Sequence, residues 1–190
     1  MQRLIVGYHR DEEGDWVAHL ACGHRQHVRH RPPFVVHPWV REAGGRHEHL
    51  GTPLSCPLCD RGELPEAALA ARRTPSWDER SMPERLRDDH RLGPTTWGEV
   101  VVEEGDLVLS APTIGQPPPL ERKLVAGERA AVPPGVPHRV VPLGAVRFHL
   151  ELYQVEPTDG TDGGGGGEGE GGGEGEGEGG GEGEGEGEGG

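Results

Sequence analysis

Three cysteines and a handful of histidines carry the strongest chemical signal in this chain. Cys56-Pro57-Leu58-Cys59 sets two thiols three positions apart, so one tight turn can bring both sulfurs to a single ion. Cys22-Gly23-His24, far upstream, offers a further thiol and an imidazole. Cys22, His24, Cys56 and Cys59 together make a Cys3His set, an ordinary closed ligand set for structural zinc. With four positions filled, no site remains open for substrate. The set uses every cysteine of the chain, and an odd number of cysteines argues against a disulfide framework. The plainer alternative is three reduced thiols in a small core. His19 and His27 lie near enough in sequence to compete for the place of His24.

A second constellation gathers around His138. Pro133, Pro134 and Pro137 fix backbone torsions and Gly135 permits a turn, so a stiff loop aims the imidazole of His138. Imidazole is both a common metal ligand and an acid/base group. His149 and Glu151 stand two apart on the strand that follows and share a face, opposite Phe148, Leu150 and Leu152. His90 precedes the first hairpin of this region. Two or three imidazoles with a carboxylate would suit Zn, Fe, Mn or Ni, and fewer than four protein ligands leave an open position. The alternative is a pocket histidine hydrogen-bonded to Glu151, with no metal.

The elements that must position these groups read as strands. Arg3 to Tyr8, an Asp11–Asp15 turn, and Trp16 to Leu20 make a hairpin, followed by a further strand around Gln26–His30 that Pro32-Pro33 stops. Glu66 to Arg72 reads as a linker or short helix, and Ser76–Glu79 and Met82–Leu86 as short helical turns. After Gly93-Pro94 the texture is β. Trp97 to Val102 and Leu107 to Leu109 form a hairpin about a turn at 103–106. Strands at 120–125, 130–132 and 139–141 follow, then a turn at 142–144 and a last strand at 146–153. Many short strands with almost no helix mean a sandwich or barrel. Trp77 and Trp97 read as core or pocket wall.

The chain has 190 residues and a net charge of −14. Eleven acids from 157 onward account for −11 of it, in a segment almost wholly Gly and Glu. That segment has no apolar surface to offset its ordering entropy and reads as a disordered, self-repelling tail. The remainder is near neutral, without the basic field that drives nucleic-acid binding. Arg25, Arg29, Arg31, His27 and His30 make only a modest basic strip. No apolar run approaches a membrane span. The first residues lack a signal-peptide pattern and enter a strand at once, so a cytoplasmic location is expected.

Several motifs carry a resemblance. Gly127, five residues, Pro133-Pro134-Gly135, two residues and His138 fit the second cupin motif, and Glu99 with Gly105 resembles the end of the first. The paired histidines usual before that Glu are absent, with Gly93 and Thr95 near their places. Arg73-Thr74-Pro75, Leu86-Arg87-Asp88 with His90-Arg91, Thr96-Trp97-Gly98, Val132-Pro133-Pro134 with Pro137-His138, and Val146 to Glu151 resemble the small cupin domain of the TehB/YeaR type over about 73–153. In that family a second histidine often follows where Arg139 stands here. Residues about 3–63 are similar to a small bacterial domain of unknown function with Cys-Gly-His and a late Cys-x-x-Cys. The resemblance implies a cupin-type β-sandwich or barrel and an association with stress such as tellurite or oxyanion toxicity. It also implies a homodimer through the cupin region, since cupins often pair through edge strands. No methyltransferase region follows, so the methylating activity of longer relatives is not implied.

The expected organisation is mostly β. A zinc-ribbon-like module spans 1–65, a TehB/YeaR-like cupin domain spans 66–156, and a disordered acidic tail spans 157–190. The expected function is non-enzymatic binding of a metal ion, an oxyanion or another small molecule, supported by structural zinc. Two other readings compete. One is a cupin metalloenzyme, a dioxygenase or isomerase with His90, His138 and His149 on one divalent ion. The other is a zinc-ribbon regulator that docks on protein or nucleic acid and uses the cupin as a sensor.

Overall fold

The computed structural model describes residues 1–33, 36–111 and 120–156. The Gly/Glu-rich segment expected to be disordered lies outside the described residues. The chain is mostly β. Its elements are β1 (Gln2–Arg10), β2 (Trp16–Leu20), β3 (Arg25–His27), α1 (Ala43–Glu48), β4 (Pro53–Ser55), α2 (Pro57–Arg61), β5 (Leu69–Arg73), β6 (Trp77–Asp78), β7 (Thr96–Ala111), β8 (Leu120–Val125), β9 (Arg129–Val132) and β10 (Arg139–Gln154).

The first four strands form an antiparallel sheet in the order β3-β2-β1-β4. Its β1–β2 hairpin closes on the expected acidic turn. The Asp11 carboxylate accepts from the backbone N–H of Glu13 and of Asp15, at 3.0 and 2.8 Å, and Gly14 sits at φ 83°. Short polar side chains that satisfy their own backbone in this way are what make such turns. The remaining strands form a six-stranded antiparallel sheet in the order β5-β10-β7-β8, with β6 added on β10 and β9 on β7.

Two local expectations change. The segment at 103–106 is not a hairpin turn, nor is 142–144. β7 and β10 each run through as 16-residue strands paired with one another. Their register shifts between Pro142 and Val146, where Gly105 opposes Val146. Gly105 has φ 70°, and a Cβ there would meet the Ala145 carbonyl oxygen at 2.1 Å. The Gly therefore marks a bulge where both strands bend together, a common way to curve a sheet. The second change is at 66–79. Leu69–Arg73 and Trp77–Asp78 are strands on the edge of β10, not helix or linker. Pairing with a long bent strand overrides the helix preference of the alanine-rich run.

Alternation along β7 and β10 makes one face of the large sheet apolar. Val100, Val102, Leu107, Leu109, Val140, Val146 and Phe148 are buried in a core with Leu124, Ala130 and Val132, and Met82 and Leu86 join it. The small sheet has its own core around Ile5, Tyr8, Ala18, Leu20 and Val40. That second core also takes in Trp97 and Val155, with Ala131 and Tyr153 against it. Trp97 and Tyr153 are register partners, and Ala131 lies opposite Glu99. The N-terminal sheet thus packs on the reverse face of the large one.

Candidate metal centre and the histidine cleft

The four residues of the Cys3His set meet. Gly23, at φ 89°, turns the chain between Cys22 and His24, and its N–H bonds the Leu20 carbonyl at 2.7 Å. Cys56 occupies the N-cap of α2, Pro57 its first turn, and Gly62 ends it in the left-handed region at φ 65°. A Pro start and a Gly stop are the sequence marks of a helix confined to a turn or two. This short helix brings Cys59 back beside Cys56. Nδ1 of His24 lies 3.5 Å from Sγ of Cys22, 3.4 Å from that of Cys56 and 3.6 Å from that of Cys59. All four ligand atoms lie within 4.8 Å of one another. Zinc held tetrahedrally at about 2.3 Å to sulfur and about 2.0–2.1 Å to nitrogen keeps sulfur and nitrogen about 3.5–3.6 Å apart. The cluster is therefore spaced as a tetrahedral ion requires and can hold a metal ion.

The site is closed to solvent. Each cysteine is 1% exposed and His24 4%. Burial and mutual hydrogen bonding hold protons on two of the thiols. The Cys59 thiol is pushed up to about 12, first by its hydrogen bond with Cys22 and then by burial. Burial also raises Cys56, while the bond from Cys59 lowers Cys22. Neighbouring buried thiols resist ionising together. A divalent ion reverses this, because it binds thiolates and neutralises them.

Trp97, read from the sequence only as core or wall, has a specific place here. Its indole N–H donates to the Cys22 carbonyl at 2.7 Å, and its ring meets the His24 ring edge-on at 5.4 Å. A Cβ on Gly23 would strike Val155 at 2.6 Å. The Cys-Gly-His turn is thus clamped from the large sheet. Nothing local in the sequence announces that contact, which spans 75 positions.

The histidines of the large sheet fall into two groups. His90 and His138 are joined by a β-bridge, with N–H to O distances of 3.0 and 2.9 Å, and their rings stand 4.1 Å apart. His138 is 4% exposed. Its Nδ1–H donates to the Val136 carbonyl at 2.9 Å, and burial holds its pKa down at about 4, so the ring is neutral at pH 7. His138 lines a cleft of about 500 Å3 between α2 and the large sheet, along with Cys59, Gly62, Ala130, Val132 and Val136.

His149 and Glu151 stand elsewhere, on the reverse face of the sheet from Phe148. His149 bonds Glu103 through Nδ1 at 2.8 Å and Glu151 through Nε2 at 3.4 Å. Arg147 and Arg73 also reach Glu103, at 2.9 and 3.3 Å. Arg129 holds Glu99 at 2.9 Å. The Ser76 hydroxyl, then His149 and Arg147, lower the Glu103 pKa, and the Tyr153 hydroxyl and His149 lower that of Glu151. Burial pushes Tyr153 up to about 12. This is a charge-balanced network along the strands. Glu103 and Arg73 were not foreseen as partners of His149, nor Ser76 as the donor to Glu103, because their meeting depends on the bulged register.

The fold and the Cys3His centre define a mostly β protein with a metal-ready N-terminal sheet clamped onto a larger antiparallel sheet. Residues 72–150 match a family model described as the TehB-like domain, and residues 6–63 match a family described as a protein of unknown function (DUF3565). No curated protein matches the chain. Among solved structures it is similar to TehB from Haemophilus influenzae, at 22% identity and a TM-score of 0.43, covering 47% of this chain and 32% of that one. It is also similar to a protein from Escherichia coli K12, at 18% identity and a TM-score of 0.45, covering 50% and 97%. The chain spans about a third of the length of the TehB chain. Likenesses this distant carry no argument about activity. Among the described residues, no helix is long and apolar enough to cross a membrane.

Proposed function

We propose that the chain is a non-enzymatic binding protein built on a structural zinc site. The observation that carries this reading is the buried Cys22, His24, Cys56 and Cys59 cluster, whose Nδ1-to-sulfur distances of 3.4 to 3.6 Å suit a filled tetrahedron. A filled tetrahedron leaves no position for substrate, so the ion's work is to hold structure. It fastens α2 and the Cys22–His24 turn together and so fixes the small sheet to Trp97. The TehB-like domain supplies the binding role, with His138 at its cleft. A stress setting such as tellurite or oxyanion toxicity rests on the TehB-like likeness alone.

The metalloenzyme alternative needs His90, His138 and His149 on one ion, whereas His149 is engaged by Glu103 and Glu151. The nucleic-acid alternative needs a free basic strip, whereas His27 pairs with Asp11, and Arg29 and Arg31 with Asp15. Elemental analysis of the purified full chain tests the reading. One zinc per chain is expected, with the same content in His138→Ala. A second metal present in equal amount and lost in His138→Ala, together with turnover of a small substrate that is lost with it, would establish the enzyme alternative instead.

A further inference from the structure

The cleft beside His138 has walls from both parts of the chain. Leu109, Ala130 and Val132 come from the large sheet, Val136 from the proline-stiffened loop, and Cys59 to Gly62 from the metal-bearing helix α2. Two contacts fix the walls relative to each other. Arg3 on β1 donates to the Pro134 carbonyl at 2.8 Å, and Gly62 sits against the Ala131 carbonyl, which a Cβ there would meet at 3.4 Å. A cleft of about 500 Å3 is the size of ordinary small-molecule sites, which are mainly apolar with few polar groups converging.

The polar group here is His138. Its Nδ1–H is committed to Val136, and its Nε2 has no hydrogen-bond partner among the described residues. Nε2 of a neutral imidazole is an acceptor, so it calls for a donor on the ligand. The charges at the rim do not favour an anion. Arg61 is paired with Glu63, Lys123 is held by Asp106 at 2.8 Å, and Arg122 bonds the Arg129 carbonyl at 3.4 Å. Asp60 and Glu121 stand at the same rim. The Met1 ammonium is likewise held by Asp60, so an oxyanion would meet cations mostly engaged by carboxylates and no donor from the neutral imidazole.

We propose that this cleft is a composite site for an uncharged, mainly apolar small molecule bearing one N–H or O–H group, which donates to Nε2 of His138. The proposal rests on the binding role proposed above and names its ligand class. It also gives α2 a second task, as a wall of the ligand site as well as a source of two metal ligands.

Three probes separate the chemistry in the zinc-loaded full chain. Indole is bicyclic, neutral and has one N–H. 1-Methylindole lacks the donor, and indole-3-acetate adds an anion. Amide chemical-shift titration is expected to show indole moving Gly62, Ala130 to Val132 and Val136, with 1-methylindole and indole-3-acetate each at least tenfold weaker. His138→Leu should reduce the preference for indole over 1-methylindole to less than twofold. Ala111→Trp, at the half-exposed strand end lining the cleft, should weaken all three without touching the core. Equal binding of all three in the cleft, or tighter binding of indole-3-acetate, overturns the ligand class and leaves the binding role standing. Shifts confined to other surfaces, or none with any probe, overturn this cleft as the site, while the structural-zinc reading proposed above stands or falls separately by elemental analysis.

Discussion

His138 makes the stability of the protein depend on pH in a way that a single substitution isolates. Its folded pKa is about 4, held there mainly by burial, against an ordinary value of 6.5. As pH falls, the unfolded chain takes up its proton near 6.5 while the folded one resists until about 4. The unfolded state therefore binds more protons across that window, and stability falls with pH there. Between pH 7 and pH 5 the loss works out at about 2 kcal/mol, and below pH 4 it levels at about 3 kcal/mol. The assay is urea unfolding of the wild type and of His138→Gln at pH 7.0 and 5.0, followed by tryptophan fluorescence. Groups other than His138, including His9 and His19, whose pKa values burial also lowers, titrate in both proteins and cancel in the comparison. The wild type should lose about 2 kcal/mol more than the variant on acidification. Parallel losses in the two proteins would refute the claim that His138 is held neutral by burial.

Cys59→Ser should abolish tight metal binding. Structural zinc contributes on the order of 10 kcal/mol to folding in small modules, so amide spectra of residues 1–65 should collapse on substitution. Trp97→Phe leaves the Cys22 carbonyl without its donor in a buried setting and should cost about 1–3 kcal/mol, read as a lower Tm with near-unchanged metal content. Gly23→Ala forces a side chain onto Val155 at a φ of 89° and should destabilise by more than about 1 kcal/mol, whereas Gly14→Ala, which meets no atom within 4 Å, should show the backbone cost alone.

The Cys3His cluster was legible in the sequence because its grammar is local. A Cys-x-x-Cys at a helix start and a Cys-Gly-His turn each place their ligands within a few residues. The clamp by Trp97 was not, since an indole and a carbonyl 75 positions apart meet only through the packing of two sheets. The mostly β character and the strands carrying Val132 and Phe148 were also readable from alternation. Gly105 was ambiguous: a Gly after two acids signals a hairpin turn as readily as a bulge, and only pairing with the Val146 segment decides between them. A second register shift, between Arg147 and Phe148, skips Glu103 in the ladder and leaves it beside His149, so the second histidine cluster could not be placed from spacing along one strand. His90 and His138 met across a bridge that no periodicity predicts.

X-ray absorption at the zinc edge tests the central claim most directly. The account predicts one zinc per chain with a first shell of three sulfurs at about 2.3 Å and one nitrogen at about 2.0–2.1 Å, unchanged in His138→Ala. A shell dominated by nitrogen and oxygen, or one with an exchangeable water, would contradict a closed Cys22, His24, Cys56 and Cys59 site.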